Sequence, residues 1–142
     1  MLGALLRLAY QTIAERMTTW LAESGHTALQ PSHSAAIQSL WAKTDGVRLT
    51  VMAQNAHVTK QTMGAFVDHL ERHGYVERVA DPDDGRASRI RLTKKGESFA
   101  KEARAFSRRT EAELDSLLGA RRVDELRTAL RMIHERYGRS DE

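Results

Sequence analysis

The sequence predicts a mainly helical protein of the α+β class, in which one short β-hairpin interrupts a series of amphipathic helices. Apolar residues recur every three or four positions over most of the chain, as they do in helices that bury one face. Between residues 75 and 92 this period gives way to strand-prone residues on both sides of a turn-rich segment. The length of 142 residues, with 41% hydrophobic and 29% charged residues, is typical of one ordinary globular domain.

Several classes of protein are excluded by composition. The chain has no cysteine, which excludes disulfides, thiolate metal sites, thiol nucleophiles and thiol-based redox sensing. No apolar run approaches the roughly 18 residues of a membrane span, and the N-terminus lacks the pattern of a signal peptide, so we expect a cytoplasmic protein. No catalytic triad or carboxylate pair stands in a recognisable motif, so we expect neither an enzyme nor a cofactor.

The first two predicted helices precede the centre of the chain. Residues 2–24 carry a long apolar stripe that Gly25 is suited to end. Pro31 fits the first turn of a second helix, which residues 44–46 break. The stripe of the first helix comprises Leu2, Leu6, Ala9, Ile13, Met17 and Trp20, and that of the second comprises Ala36, Ile37, Leu40 and Trp41.

Two further helices follow with only a tight turn between them. Thr50 is predicted to cap a short third helix that runs to about His57, and Thr59 to cap a fourth that Gly74 ends. The turn is therefore His57-Val58 or little more. The inward face of the fourth helix is predicted to consist of Met63, Phe66, Val67 and Leu70.

The hairpin and the C-terminal helices complete the chain. Strands are predicted around Tyr75–Val79 and Arg89–Leu92, with Ile90 and Leu92 inward and Arg89 and Arg91 outward. Thr93 can cap the long helix that follows, and a final helix extends to Tyr137. Because the terminal stripes are more apolar than a thin helix can bury alone, we predict dimerisation helices in residues 1–30 and 97–142, flanking a central domain of residues 31–96.

Residues 50–93 are predicted to form a helix, a tight turn, a second helix and a hairpin, in this order. These are the elements of a winged helix-turn-helix, in which the second helix enters the DNA major groove. Gln61 can bond adenine bidentately and Ala65 can touch a thymine methyl, while Thr59 and Lys60 suit phosphates. A plain amphipathic surface helix is the alternative. The outward face also includes Asp68 and Arg72, flanked by Thr62 and His69.

The hairpin distinguishes between these interpretations. Residues 70–78 and 81–96 resemble the MarR family of bacterial transcriptional regulators. The wing signature of that family consists of Asp-x-Arg, a short spacer, an apolar-x-Leu-Thr run and a Gly. In this sequence it extends from Asp84 to Gly96. The resemblance implies a homodimer with interdigitating terminal helices. It also implies that Arg86 enters the minor groove while Asp84 holds it by an ion pair. Gly64 departs from the family, which usually has a small hydroxyl residue there.

The predicted function is therefore that of a DNA-binding regulator, most simply a ligand-responsive repressor that binds a pseudo-palindromic operator as a homodimer. The alternative is a winged-helix module for protein contact, with no operator of its own; the basic run from Arg86 to Lys95 argues against it. The predicted DNA-contacting residues are Thr59, Lys60, Gln61, Thr62, Ala65, His69, Arg72, Arg86 and Arg89, with Asp84 as the residue that orients the wing.

Ligand sites are less strongly indicated. His69 and His73 have a helical spacing that can chelate a metal, but no third ligand is near in sequence, so no metal site is predicted. In the family's architecture a crevice between the first, second and fifth helices and the winged domain can hold a small aromatic or amphipathic effector. We hypothesise that Trp20, His33 and Trp41 line it, with a composite site of His26, His33 and His57 as another possibility.

Overall fold

The computed structural model describes residues 1–138, so the last four residues of the predicted region 97–142 lie outside it. Within the described residues the protein is mainly helical with one small antiparallel sheet, which confirms the predicted fold class. No helix in this range is long and apolar enough to cross a membrane. The elements are α1 (Leu2–Glu23), a 3₁₀ turn (Pro31–His33), α2 (Ser34–Ser39), α3 (Leu49–Ala56), α4 (Lys60–Arg72), β1 (Val76–Ala80), β2 (Ser88–Leu92), α5 (Lys94–Leu118) and α6 (Ala120–Tyr137).

The chain divides into two compact units, the first comprising residues 1–97 and the second starting at Ser98. The core of the first unit is built from the inward faces of its helices and hairpin, and it includes three of the four residues predicted for α4. The fourth, Phe66, is only half-buried and meets the ring of His33 edge-on at 5.4 Å. The buried side chains of this core include Leu21, Ile37, Leu40, Met52, Met63, Val67, Leu70, Tyr75, Val76 and Ile90.

The helix-turn-helix has the predicted tight turn. His57 adopts a left-handed conformation with φ of 53° and ends α3, and the Thr59 hydroxyl accepts the N–H of Thr62 at 3.1 Å to cap α4. The predicted cap at Thr50 is wrong, because α3 begins at Leu49 with Arg48 as its N-cap, two residues earlier than predicted, and Thr50 lies inside its first turn. Only one of the two cap assignments for these helices was therefore correct.

The wing contains a connection that the sequence did not predict. β1 and β2 pair antiparallel with Arg78 opposite Ile90, and Val47 and Ile90 exchange two further backbone hydrogen bonds of 2.8 Å. Gly46 makes this approach possible: with φ of +82°, a Cβ there would lie 2.9 Å from the Ile90 carbonyl oxygen. The segment before α3 thus adds a second, very short pairing, to the β2 strand of the hairpin.

The junction between the wing and α5 explains the last residue of the wing signature. The Thr93 hydroxyl accepts the N–H of Gly96 at 3.1 Å, which confirms its predicted capping role. A Cβ on Gly96 would lie 2.0 Å from the carbonyl oxygen of Tyr75. Glycine is required here because the start of α5 lies directly against the backbone that enters β1.

The second unit consists of the rest of α5 and the described part of α6, joined at Gly119 with φ of +86°. Val123 is buried, and Arg127 of α6 forms an ion pair of 3.6 Å with Glu111 of α5. Many large apolar side chains remain exposed, namely Leu117, Leu126, Leu130, Met132, Ile133 and Tyr137.

Candidate nucleic-acid interface

The N-terminal half of α4 presents a polar, exposed surface. Lys60, Gln61, Thr62 and Ala65 are exposed, as is Arg72 at the C-terminal end of the helix. Within residues 1–138 the side chains of Lys60, Gln61 and Arg72 have no hydrogen bond or ion pair, so these groups are available to a partner molecule. The buried Met63, Val67 and Leu70 hold the opposite face of α4 in the core and so fix which side is presented.

His69 requires a correction. Its Nε2 bonds the carbonyl oxygen of Ala28 at 2.6 Å, and its ring stacks on that of His33 with centroids 4.6 Å apart. The ring is therefore engaged with the segment around the 3₁₀ turn, because position 69 lies at the edge between the exposed and buried faces of α4. We remove His69 from the proposed DNA-contacting set.

His33, His69 and His73 form a continuous stack of rings. The His69 and His73 centroids are 4.4 Å apart, and His33 Nδ1 accepts the N–H of Gln30 at 3.0 Å. Burial, followed by the nearby charges of His69 and His73, lowers the pKa of His33 below its ordinary value. A lowered pKa favours the neutral form of the His33 imidazole ring. Within the described part of the chain, no group of three or more histidine or carboxylate residues is placed to hold a metal ion.

Arg78 of β1 joins the hairpin to α4. Its Nη2 donates to Asp68 at 2.7 Å, and its Nη1 forms an ion pair with Glu71. The hydrogen bond from Arg78 to Asp68 is the main cause that raises the pKa of this guanidinium. Asp68 was predicted on the outward face of α4, but its pairing with the wing was not predicted.

Asp81 is the centre of a second ionic cluster, at the start of the wing loop. Its carboxylate is fully buried, accepts a hydrogen bond from Arg48 Nε, and lies 3.3 Å from Arg89 Nε. It also accepts the N–H of Asp83 at 2.9 Å. The hydrogen bond from Arg48, followed by that from the Asp83 N–H, holds the pKa of Asp81 well below its usual range. Asp81 is thus the buried ionic contact that joins the wing loop to the residue before α3 and to β2.

Arg89 also needs a correction. Besides its contact with Asp81, its Nη2 donates to Asp83 at 2.9 Å, and its side chain is only 21% exposed. A guanidinium held by two carboxylates supports the wing and is poorly placed to contact phosphate. We therefore assign Arg89 to the wing scaffold.

Arg86 stands at the wing tip as predicted, but Asp84 contacts it differently. The Asp84 carboxylate accepts the backbone N–H of Arg86 at 3.0 Å, an Asx-type turn rather than the expected ion pair. The Arg86 side chain is exposed and, within residues 1–138, has no hydrogen bond or ion pair. Asp84 therefore shapes the loop and leaves the guanidinium available.

The hypothetical effector residues have different neighbours. His33 belongs to the histidine stack, whereas Trp20 lies 6.3 Å from the ring of His26, whose Nδ1 is 2.7 Å from the hydroxyl of the buried Tyr75. Trp41 is half-buried after α2, and His57 is exposed at the helix-turn-helix turn. The contacts described for His26 are with Tyr75 and Trp20, and those of His33 include Phe66 and His69, so these contacts do not define one composite site.

Sequence reasoning missed Arg48, Arg78 and Asp81. A signal existed for Arg78: it lies two residues after the buried Val76, so alternation places it on the inward face of the hairpin, where a charge needs partners. Arg48 and Asp81 are 33 residues apart, and nothing local in the sequence indicates their pairing.

A helix-turn-helix whose second helix has an exposed polar face, followed by a wing whose Arg86 has no ion pair within the described residues 1–138, defines a winged helix-turn-helix protein. The model of the MarR family matches residues 36–88, which confirms the resemblance. Over residues 36–88 the chain is similar to transcriptional regulators of the MarR family.

Individual relatives agree with this. An HTH-type transcriptional repressor of Mycobacterium bovis is 29% identical, over 74% of this chain and 84% of the relative. The transcriptional repressor CouR, solved bound to a 23-mer DNA duplex, is 27% identical with a TM-score of 0.79, over 94% of this chain and 92% of that one. The PcaV transcriptional regulator from Streptomyces coelicolor, solved with its natural ligand, is 22% identical with a TM-score of 0.79, over 94% and 91%.

Proposed function

We propose that the chain is a homodimeric, ligand-responsive repressor that binds a pseudo-palindromic operator in the cytoplasm. The observation that carries this proposal is the exposed set of Lys60, Gln61 and Arg72 on α4, together with Arg86 of the wing, whose side chains have no hydrogen bond or ion pair within residues 1–138. Groups of this kind, left without protein partners on a recognition helix and a wing tip, suit two adjacent grooves of one DNA duplex.

The proposed roles follow from the chemistry of each group. Gln61 contacts a base edge and Ala65 a thymine methyl, while Lys60, Arg72, Thr62 and the free amides at the start of α4 contact phosphates. The Thr59 hydroxyl already caps the helix, so we expect it to contribute mainly by holding those amides in place. Arg86 enters the minor groove, where narrow A·T segments concentrate negative potential.

Support for the dimer comes from the exposed apolar residues at both ends of the chain. In α1, Leu2, Leu5 and Leu8 are exposed, and in α6, Leu126 and Leu130 are exposed. Stripes of this size on a single chain mark an association surface. Pairing of the terminal helices between two copies would cover them and place the two recognition helices about one DNA turn, ~34 Å, apart.

A small aromatic or amphipathic effector would bind one conformation of the dimer more tightly than another, and the two conformations would differ in the distance between the recognition helices. The ligand-bound structure of PcaV supports this part of the proposal by analogy of fold. Trp20, His33 and Trp41 remain our candidates for contact with such a ligand.

The test compares Arg86→Ala and Gln61→Ala by titration on DNA from the region upstream of the coding sequence and on a scrambled duplex. Arg86→Ala should weaken binding to both duplexes and lower the salt slope by about one ion per protomer. Gln61→Ala should lose about 1–3 kcal/mol on the upstream DNA only, because it removes a base contact.

Arg121→Ala, which removes an exposed arginine of α6, is the control for the loss of one positive charge. If Arg86→Ala binds both duplexes like the wild type, the proposed role of the wing is wrong. If the wild type binds neither duplex, a protein-contact module becomes the better interpretation.

A further inference from the structure

The recognition helix carries two acidic residues on its accessible side. The side chains of Asp68 and Glu71 are 60% and 40% exposed, and they lie one turn apart in the C-terminal half of α4. A helix that enters the major groove is flanked by the phosphates of both strands, which repel free carboxylates. Two acids at this location therefore require an explanation if α4 binds DNA.

Both carboxylates are held by the same guanidinium. Arg78 uses one terminal nitrogen for Asp68, at 2.7 Å, and the other for Glu71. The forked, planar guanidinium matches this arrangement, whereas the ammonium of a lysine is a single point charge. The contact is held in place because Arg78 pairs across the hairpin with Ile90, whose side chain is buried in the core.

We infer that Arg78 is a positioning residue for DNA binding, whose guanidinium holds Asp68 and Glu71 against the wing and offsets their repulsion of the DNA phosphates. This inference rests on the proposed function and extends it to a residue that does not itself need to touch DNA. One positive and two negative charges leave the cluster with a net charge of −1, and loss of Arg78 would make this −2 beside the backbone of the duplex.

The experiment measures binding of the full-length protein to a random-sequence duplex and to the upstream duplex at two salt concentrations, about 50 and 200 mM. Arg78→Ala should weaken binding to both duplexes about tenfold at the lower salt concentration and less at the higher one, since salt screens the repulsion. The affinity of Arg78→Lys for each duplex should lie between the affinities of the wild type and of Arg78→Ala. Arg121→Ala is the control, because Arg121 of α6 is also an arginine paired with a carboxylate, that of Glu125 at 2.9 Å, and lies outside the basic run of the wing.

Neutralisation of the acids separates this role from a purely structural one. The triple variant R78A/D68N/E71Q should bind within about threefold of the wild type, since the repulsion is gone. The double variant D68N/E71Q, which keeps Arg78 and changes only exposed positions, should bind both duplexes more tightly than the wild type.

The inference is overturned if Arg78→Ala binds like the wild type, if the triple variant stays as weak as Arg78→Ala, or if the double variant binds more weakly than the wild type. These outcomes are read against a wild-type protein that binds DNA. A wild type that binds neither duplex at the lower salt concentration overturns the proposed function instead, and the inference with it.

Discussion

Two glycines in helices of the first unit have opposite packing environments. Gly96 lies in the first turn of α5, where a Cβ would overlap the carbonyl oxygen of Tyr75. Gly64 lies in the middle of α4, where a Cβ would meet only the Leu49 side chain at 3.8 Å, an ordinary contact distance. One glycine is therefore required by packing and the other is not.

Gly96→Ala should destabilise the protein by about 2 kcal/mol or more, because the added methyl group must displace the backbone of Tyr75. Urea unfolding at a fixed protein concentration measures this as a lower free energy of unfolding. A variant as stable as the wild type would show that the start of α5 does not lie against Tyr75 as described.

Gly64→Ala should stabilise the protein by about 0.5–1 kcal/mol, because alanine restricts the unfolded chain and fits the helix. The same unfolding measurement applies, and the two glycine variants serve as controls for each other. Loss of stability at position 64 would mean that the space beside Leu49 is smaller than it is in this structure.

The wing, considered as an element, depends on a buried charge. Asp81 lies between Arg48, which directly precedes α3, and Arg89 of β2, so it ties the wing loop to the helix-turn-helix. Its pKa in the folded protein lies below the ordinary value of 3.8. The stabilisation it provides is therefore complete above about pH 4 and declines as the pH falls from there toward the lower, folded-state pKa.

Asp81→Asn should lower the free energy of unfolding at pH 7, and the difference from the wild type should narrow when the pH falls below 3.8. Unfolding curves at pH 7 and at pH values below 3.8 measure it. Asp84→Asn is the matched control, because an asparagine there can still accept the Arg86 N–H. A difference that persists unchanged at low pH would contradict a charge-based role for Asp81.

Features that local sequence determines were predicted well at the scale of elements. The cap at Thr59, the end of α4 near Gly74 and the hairpin were all predicted, since each depends on residues a few positions apart. The position of Thr50 was misjudged because a threonine before an apolar run suits both a cap and the first turn of a helix.

The candidate site was predicted only in part, because its ionic contacts are distant in sequence. The exposure of Gln61 and Arg86 follows from periodicity and from the wing signature. The pairing of Arg48 with Asp81 and the stacking of His33 on His69 depend on the packing of separate elements. For that reason Arg89 and His69 were both predicted to contact DNA, whereas in the structure Arg89 pairs with Asp81 and Asp83 and His69 bonds the carbonyl oxygen of Ala28.

At the scale of the whole molecule, the terminal helices α1 and α6 expose apolar side chains that a partner surface could cover. Leu5 of α1 and Leu130 of α6 are exposed in the single chain, as are other leucines of both helices. We expect an obligate-type interface that buries more than about 2,000 Å² in total. Light scattering should therefore give a mass of twice 16.0 kDa.

Leu5→Asp and Leu130→Asp should each shift the protein toward monomer and weaken operator binding, because a charge would be buried in the interface. Val51→Asp is the control, since Val51 is an exposed apolar residue of α3. A wild type that is a folded monomer in solution and still binds the upstream DNA tightly would contradict the dimer.

The backbone pairing between Val47 and Ile90 has a consequence for the DNA sequences that the protein could tolerate. It joins the wing to the segment that leads into α3, so the wing is tied by backbone hydrogen bonds to the helix-turn-helix that contains α4. If Gln61 contacts the major groove and Arg86 the minor groove as proposed, this connection sets the distance between the two contacts. An extra base pair inserted within a half-site should therefore abolish recognition by that chain, whereas one at the centre of the operator would change only the spacing and rotation between the two copies of the proposed dimer.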